Sequence, residues 1–185
     1  MRYAIVSDIH ANMPAWRAVL KDISSQGADG ILCLGDMIGY GPMPYPVLQE
    51  VFEHASNIVI GNHEAVVCGQ FDIDSFADHA RTVIEWTRGQ ISQDMVKRIA
   101  ALPTDIAGEG FAVAHAELAF PERFGYVEDI EMARETFSAS QAQMIFVGHT
   151  HHADIHILDM EDGSIYLHHA ADFSAVPGMR YIANV

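Results

Sequence analysis

The sequence predicts a layered α/β domain, on three observations. Short apolar runs of strand length alternate with amphipathic stretches from the first residues onward. The 185 residues are 50% hydrophobic and 19% charged, which excludes a disordered chain and supplies a core. No internal repeat, low-complexity tract or linker interrupts the alternation, so a single domain over 1–185 is expected.

Taken in order, Tyr3 to Val6 reads as a buried strand. Asn12 then offers a helix cap, Pro14 fits a first turn, and Trp16, Val19, Leu20 and Ile23 share a face until Gly27 closes the helix. Ile31 to Leu34 reads as a strand, Tyr45 to Ala55 as a helix and Asn57 to Ile60 as a third strand. From about Asp74 to Leu102 the pattern is helical: Phe76, Ala80, Val83, Ile84 and Trp86 repeat at helical spacing, and Ser92 caps a segment with Met95, Val96 and Ile99. Phe111 to Ala114 is strand-like, Glu128 to Ser138 helical, and Met144 to Val147 a strand again. Ile155 to Leu158 and Ser164 to Leu167 flank Glu161-Asp162-Gly163 as a hairpin, and Tyr181 to Val185 forms a last strand.

Charge and cysteine content narrow the class. Ten basic residues against 25 acidic ones give a net charge of −15, which disfavours a nucleic acid polymer or an anionic membrane as partner. The two cysteines form no C-x-x-C pair, and Cys33 lies inside an apolar run as a core thiol. No stretch approaches the length of a membrane span, and the start is too short for a signal peptide, so a cytoplasmic location is expected. The unusual feature is eleven histidines in a chain already rich in carboxylates, the side chains that bind borderline metal ions.

Five strands end on such side chains. Asp8-Ile9-His10 follows the first strand, Gly35-Asp36 the second and Gly61-Asn62-His63-Glu64 the third; His115 follows Phe111 to Ala114, and Gly148-His149-Thr150-His151 follows Ile145 to Val147. Ligands of α/β sheets bind beyond the carboxyl ends of the strands, and glycine lets the backbone turn before three of these groups. Seven candidate ligands result: Asp8, His10, Asp36, Asn62, His115, His149 and His151. With one carboxylate bridging, two divalent ions would each receive four protein ligands and keep room for water. The mixed nitrogen and oxygen set suits Mn, Fe, Zn, Ni or Co rather than calcium. Two such ions against two carboxylates leave the site locally positive, so an acidic protein can still take an anionic substrate.

These motifs, in type and order, resemble those of the calcineurin-like metallophosphoesterases, and in particular small prokaryotic members similar to diadenosine tetraphosphatases. Ser7-Asp8-Ile9-His10-Ala11-Asn12 and Leu34-Gly35-Asp36-Met37-Ile38-Gly39-Tyr40-Gly41-Pro42 strengthen the resemblance, which runs to about Ala153. It implies a four-layer αββα sandwich of two mixed sheets, with further strands usually following one like Tyr181 to Val185; a short chain would leave a sheet edge open, and homo-oligomerisation with it. It implies Asp8, His10 and His151 on one ion, Asn62, His115 and His149 on the other, and Asp36 bridging. His63 would stabilise the transferring phosphoryl group or protonate the leaving oxygen, with Glu64 orienting a histidine and Asn12 near the substrate.

The implied activity is hydrolysis of a small phosphodiester, phosphomonoester or nucleotide by attack of a metal-bound hydroxide. A Ser/Thr-type protein phosphatase and a non-catalytic interaction module on the same fold are the alternatives. The arginines that follow the Gly-Asp and Gly-Asn-His motifs in protein phosphatases have no counterpart here; Arg123 and Arg180 are the candidates to replace them. Met37, Tyr40 and Met43 form a loop able to wall the pocket. His54, His79, His152, His156, His168 and His169 are expected at solvated or surface positions.

Overall fold

The computed structural model describes residues 1–169 and 172–185. Its backbone divides into two compact units, Met1–Pro103 and Thr104–Val185.

The first unit opens with β1 (Tyr3–Val6), α1 (Met13–Gln26), β2 (Gly30–Cys33), α2 (Pro44–His54), β3 (Asn57–Ile58) and α3 (Asn62–Cys68). A short 3-10 turn (Ile73–Ser75), α4 (Asp78–Arg88) and α5 (Gln93–Ala100) complete it. Each strand-to-strand connection carries a helix, which returns the chain to start the next strand in parallel. The three strands pair in order β1-β2-β3, with Val6 opposite Cys33 and Cys33 opposite Ile58. Their carboxyl ends therefore finish side by side.

Local chemistry sets the element ends. Asn12 Oδ1 accepts the Ala15 N–H at 3.1 Å to open α1, and Gly27 closes it in the left-handed region at φ 64°. Met13 and Trp16 are buried, whereas Val19, expected on the same face, is exposed and borders a groove lined by Ile5, Val6 and Ile23. β3 is shorter than the expected Asn57 to Ile60. Val59 N–H still bonds Cys33 at 3.0 Å, but Ile60 N–H turns to the Pro103 carbonyl at 2.9 Å, and the chain leaves β2. The expected helical stretch from Asp74 to Leu102 breaks at Gly89 and restarts where Ser92 Oγ accepts the Met95 N–H at 3.3 Å. In α4 the inward side chains are Ala80, Ile84 and Thr87, so Trp86 falls outside that face and is exposed.

The second unit contains β4 (Asp105–Ala107), β5 (Phe111–Ala114), a 3-10 turn (Pro121–Arg123), α6 (Ile130–Ser138), β6 (Met144–Val147), β7 (Ile155–Asp159), β8 (Ile165–His168) and β9 (Met179–Asn184). Its sheet runs β4-β5-β6-β9-β7-β8 and mixes directions: β5, β6 and β9 are parallel, and β4, β7 and β8 run against them or one another in antiparallel pairs. Ala133 and Phe137 of α6 pack on Ala112, Ala114, Ile145, Val147, Ile165 and Ile182 of the sheet.

Strand pairing changes one expectation here. The last strand, β9, is not an edge; it lies between β6 and β7, because its backbone pairs with both. That pairing makes β7 an interior strand, so His156, expected at the surface, is buried. Asp129 Oδ1 accepts the Glu131 and Met132 N–H groups, both at 2.9 Å, and this cap starts α6 two residues after the expected Glu128. Among the described residues no helix is long and apolar enough to cross a membrane.

Candidate metal centre

In the first unit, Asp8 and His10 follow β1, Asp36 follows β2, and Asn62, His63 and Glu64 form the first turn of α3 after β3. The backbone at this end is held in unusual geometry. Asp8, His10 and Asp36 have φ values of 54°, 47° and 48°, in a region that side chains other than glycine rarely adopt. Strain of this kind persists only where the surroundings enforce it, and it concentrates at functional sites.

The surroundings that enforce it are visible. Asp8 N–H bonds the Gly35 carbonyl at 3.2 Å, His10 N–H the Asp36 carbonyl at 2.9 Å, and Ala11 N–H the Met37 carbonyl at 2.8 Å, so the β1 and β2 loops run together. Glu64 is fully buried, and its carboxylate accepts three main-chain N–H groups: Asp36 at 2.8 Å, Ile38 at 2.9 Å and Gly61 at 3.1 Å. Asp36 Oδ1 in turn accepts the His63 N–H at 3.0 Å. Glycine is required at Gly61, where a Cβ would stand 2.2 Å from Asp36 Oδ1 and 2.3 Å from Asp36 N.

The side chains then point toward a shared donor set. His10 Nδ1 lies 3.0 Å from the Ile38 carbonyl, an acceptor only, so Nδ1–H donates there and Nε2 is the nitrogen left facing away from it. That Nε2 is 3.7 Å from Asp8 Oδ1 and 3.8 Å from Asp36 Oδ2. Donors bound to one ion at about 2.1 Å lie roughly 3.0–3.4 Å apart, so each of these two pairs stands only slightly wider than two donors on one metal. His63 Nε2 stands 3.9 Å from Asp36 Oδ2, and one ligand atom each from His10, Asp36 and His63 lie within 4.8 Å of one another. The His63 ring is buried among Tyr40, Phe76 and His10, with centroids 4.9, 5.0 and 5.0 Å away. Asn62 is buried beside them, while the Asn12 side chain is engaged in capping α1.

In the second unit, His115 follows β5 and is buried, and His149 and His151 follow β6 with φ values of 70° and 57°. The His115 and His149 rings are 5.0 Å apart, and the Tyr126 ring stacks on His149 at 4.1 Å. Thr150, between the two histidines, has its Oγ1 held by Asn184 Nδ2 at 2.6 Å and by the His152 N–H at 3.1 Å. Neither Tyr126 nor Asn184 carries a sequence signal: both are brought to the motif by tertiary packing. His151 and His152 are exposed, as are His54, His79, His168 and His169.

The two arginines considered for phosphate binding have other surroundings. Arg180 is buried, donating Nε to the Ala142 carbonyl at 2.9 Å and a terminal nitrogen to the Ser140 carbonyl. Burial lowers its pKa from the usual guanidinium value. Arg123 is exposed, 4.1 Å over the Phe120 ring.

A parallel α/β half and a mixed-sheet half each carry histidine or carboxylate side chains on strained loops at their strand ends, the place where α/β folds bind ligands. The calcineurin-like phosphoesterase superfamily domain matches residues 1–173, and the chain belongs to that family. A metallophosphoesterase from Sphaerobacter thermophilus is 33% identical in sequence and superposes with a TM-score of 0.83, over 100% of this chain and 75% of that one. The uncharacterized protein MJ0912 of Methanocaldococcus jannaschii is 33% identical over 169 residues, 89% of this chain and 67% of its own length. The hypothetical protein PH1004 of Pyrococcus horikoshii shares the fold at a TM-score of 0.68, with 14% identity over 89% of this chain and 86% of its own. The fold is that of the metallophosphoesterases, a family of phosphoester hydrolases that are typically metal-dependent, and the His and Asp groups of this chain are able to bind metal.

Proposed function

We propose that the protein is a dinuclear, metal-dependent phosphoesterase acting on a small phosphodiester, phosphomonoester or nucleotide. Asp8, His10 and His151 would hold one divalent ion, Asn62, His115 and His149 the other, with Asp36 shared. The observation that carries this reading is the placement of the His10 ring: Nδ1 lies 3.0 Å from the Ile38 carbonyl, and Nε2 faces the Asp8 and Asp36 carboxylates at 3.7 and 3.8 Å. The strained backbone at five of the seven proposed ligands supports it independently.

Two such ions supply charge neutralisation at the phosphoryl oxygens and a water of lowered pKa. The nitrogen and oxygen donors favour Mn, Fe, Zn, Ni or Co. The protein's own groups do the positioning. Glu64 fixes the Asp36 and Ile38 backbone, so the Asp36 carboxylate is presented at one place. His63, with its main-chain N–H on Asp36 and its ring walled by Tyr40 and Phe76, holds an imidazole where a leaving oxygen can take a proton.

The test combines metal analysis with turnover. Purified protein loaded with Mn²⁺ is expected to retain about two ions per chain and to hydrolyse bis(4-nitrophenyl) phosphate or 4-nitrophenyl phosphate. Asp36→Ala and His149→Ala should each abolish that activity. Undiminished hydrolysis by either variant overturns the mechanism, and faster release of phosphate from phosphopeptides than from small esters favours a protein phosphatase instead.

A further inference from the structure

The Gly39-Tyr40-Gly41 turn lies beside the site, and Tyr40 meets more than the His63 ring it walls. Tyr40 adopts φ 56°, a costly conformation for a bulky side chain. Both flanking glycines are demanded by close approach to site histidines. A Cβ on Gly39 would sit 2.2 Å from His63 Nδ1, and one on Gly41 would sit 2.3 Å from the His10 carbonyl oxygen. Gly41 N–H also bonds that carbonyl at 3.0 Å. The turn is thus fastened on both sides, and what it presents is the tyrosine ring. The ring centroid is 4.8 Å from His10 and 4.9 Å from His63, with interplanar angles of 75° and 60°, and the residue remains 49% exposed.

A strained, fastened aromatic ring that touches both histidines yet keeps half its surface open is a poor core residue and a good contact surface. We propose that Tyr40 is the platform for the organic part of the substrate, and that this part carries an aromatic ring, a nucleobase or an aryl group. The assignment rests on the phosphoesterase reading for the identity of the site. Its own warrant is distance: a ring in contact with His63 lies next to where the ester oxygen leaves, so the group attached to that oxygen meets Tyr40 first. Aromatic stacking tolerates any flat π surface and contributes about 10-fold or more in affinity.

The experiment separates the platform from the chemistry. Metal-free protein is titrated with adenosine and with 4-nitrophenol, each read by the Tyr40 ring resonances, with ribose and glycerol as partners lacking an aromatic ring. Saturable shifts with adenosine or 4-nitrophenol and none with ribose or glycerol are expected, and which aromatic probe binds tighter tells a nucleoside from an aryl group. Tyr40→Leu keeps the same backbone strain without a π face, and should weaken aromatic binding about 10-fold by ligand-observed titration, with Tyr40→Phe restoring it. In metal-loaded enzyme the kcat/KM ratio of 4-nitrophenyl phosphate over glycerol 2-phosphate should fall about 10-fold in Tyr40→Leu, through KM. Equal binding of aromatic and non-aromatic probes, aromatic binding unchanged in Tyr40→Leu, or an equal loss on both esters overturns the proposal. Failure of the phosphoesterase reading looks different: no ester is hydrolysed by the wild type, while the titrations still report on the platform.

Discussion

The two units solve the same local problem, holding charged and polar side chains at the ends of strands, in different ways. In the first, the loops after β1 and β2 and the first turn of α3 share a buried network. Glu64 accepts three main-chain donors, Asp36 accepts a fourth, and Gly61 lets the backbones touch. In the second, the contacts described for the His149 and His151 loop include Asn184 Nδ2 and the His152 N–H on Thr150 Oγ1, Gly148 N–H on the His115 carbonyl and the Tyr126 ring stacked on His149. Buried polar groups differ likewise. Both Glu64 oxygens are bonded, whereas His156, at the floor of the second sheet, has no partner for either ring nitrogen. The lesson is one of tolerance: a carboxylate that satisfies several buried donors makes every member of its network indispensable, while a loop whose bonds are spread over separate partners can lose one and survive.

The strongest way to break this contrast is Gly61→Ala. Its Cβ would overlap Asp36 in both backbone and side chain, so a loss of about 4 kcal/mol of stability is expected in urea melts. Glu64→Gln tests the network chemically rather than sterically. The amide turns an NH2 toward main-chain N–H groups and should cost about 3 kcal/mol, since buried donors are left unmet. Asn184→Ala, in the second unit, should cost only about 1 kcal/mol, with hydrogen exchange rising selectively across residues 149–152. A larger loss there than for Glu64→Gln would reverse the comparison.

A subtler effect comes from His156. Burial lowers its pKa below the usual 6.5, against the opposing pull of Asp154 and Asp129. The unfolded chain therefore takes up the proton first. The contribution is complete above the ordinary imidazole pKa and is lost as pH falls through that value toward the lowered one. His156→Phe should flatten that part of the stability–pH profile, read as urea midpoints from pH 7.5 to 5, by less than the changes above. The smallest signal concerns Cys33, whose thiol burial pushes up to about 12. It should not react with a thiol reagent at pH 8 in the native protein, and should do so on unfolding.

The candidate site was unusually legible because its residues announce themselves locally. A histidine or carboxylate after a short apolar run needs no knowledge of the rest of the fold, and α1, with Asn12, Pro14 and Gly27 as punctuation, was equally plain. The helix α3 was not legible as such. Its first turn is the Gly61-Asn62-His63-Glu64 motif itself, and Glu64, expected to orient a histidine, accepts the main-chain N–H groups of Asp36, Ile38 and Gly61. β4 is only three residues long, with Ile106 its one large apolar side chain, and exists because β5 offers it an antiparallel edge. The burial of His156 and the interior place of β9 depend on pairing between residues 20 to 28 positions apart, for which no local pattern exists.

What the sequence determined by itself was therefore the alternation of strands and helices and the chemical identity of the side chains that end the strands. Both follow from periodicity and from the short-range rules of caps and glycine turns, which act within a few residues. Only the tertiary structure decided which atoms those side chains face: that His10 turns its Nε2 to two carboxylates, that Glu64 binds backbone, and that Tyr40 stands half open against two imidazoles. Those outcomes rest on close packing and on hydrogen-bond satisfaction between distant segments, and such constraints come into force only once the segments are brought together.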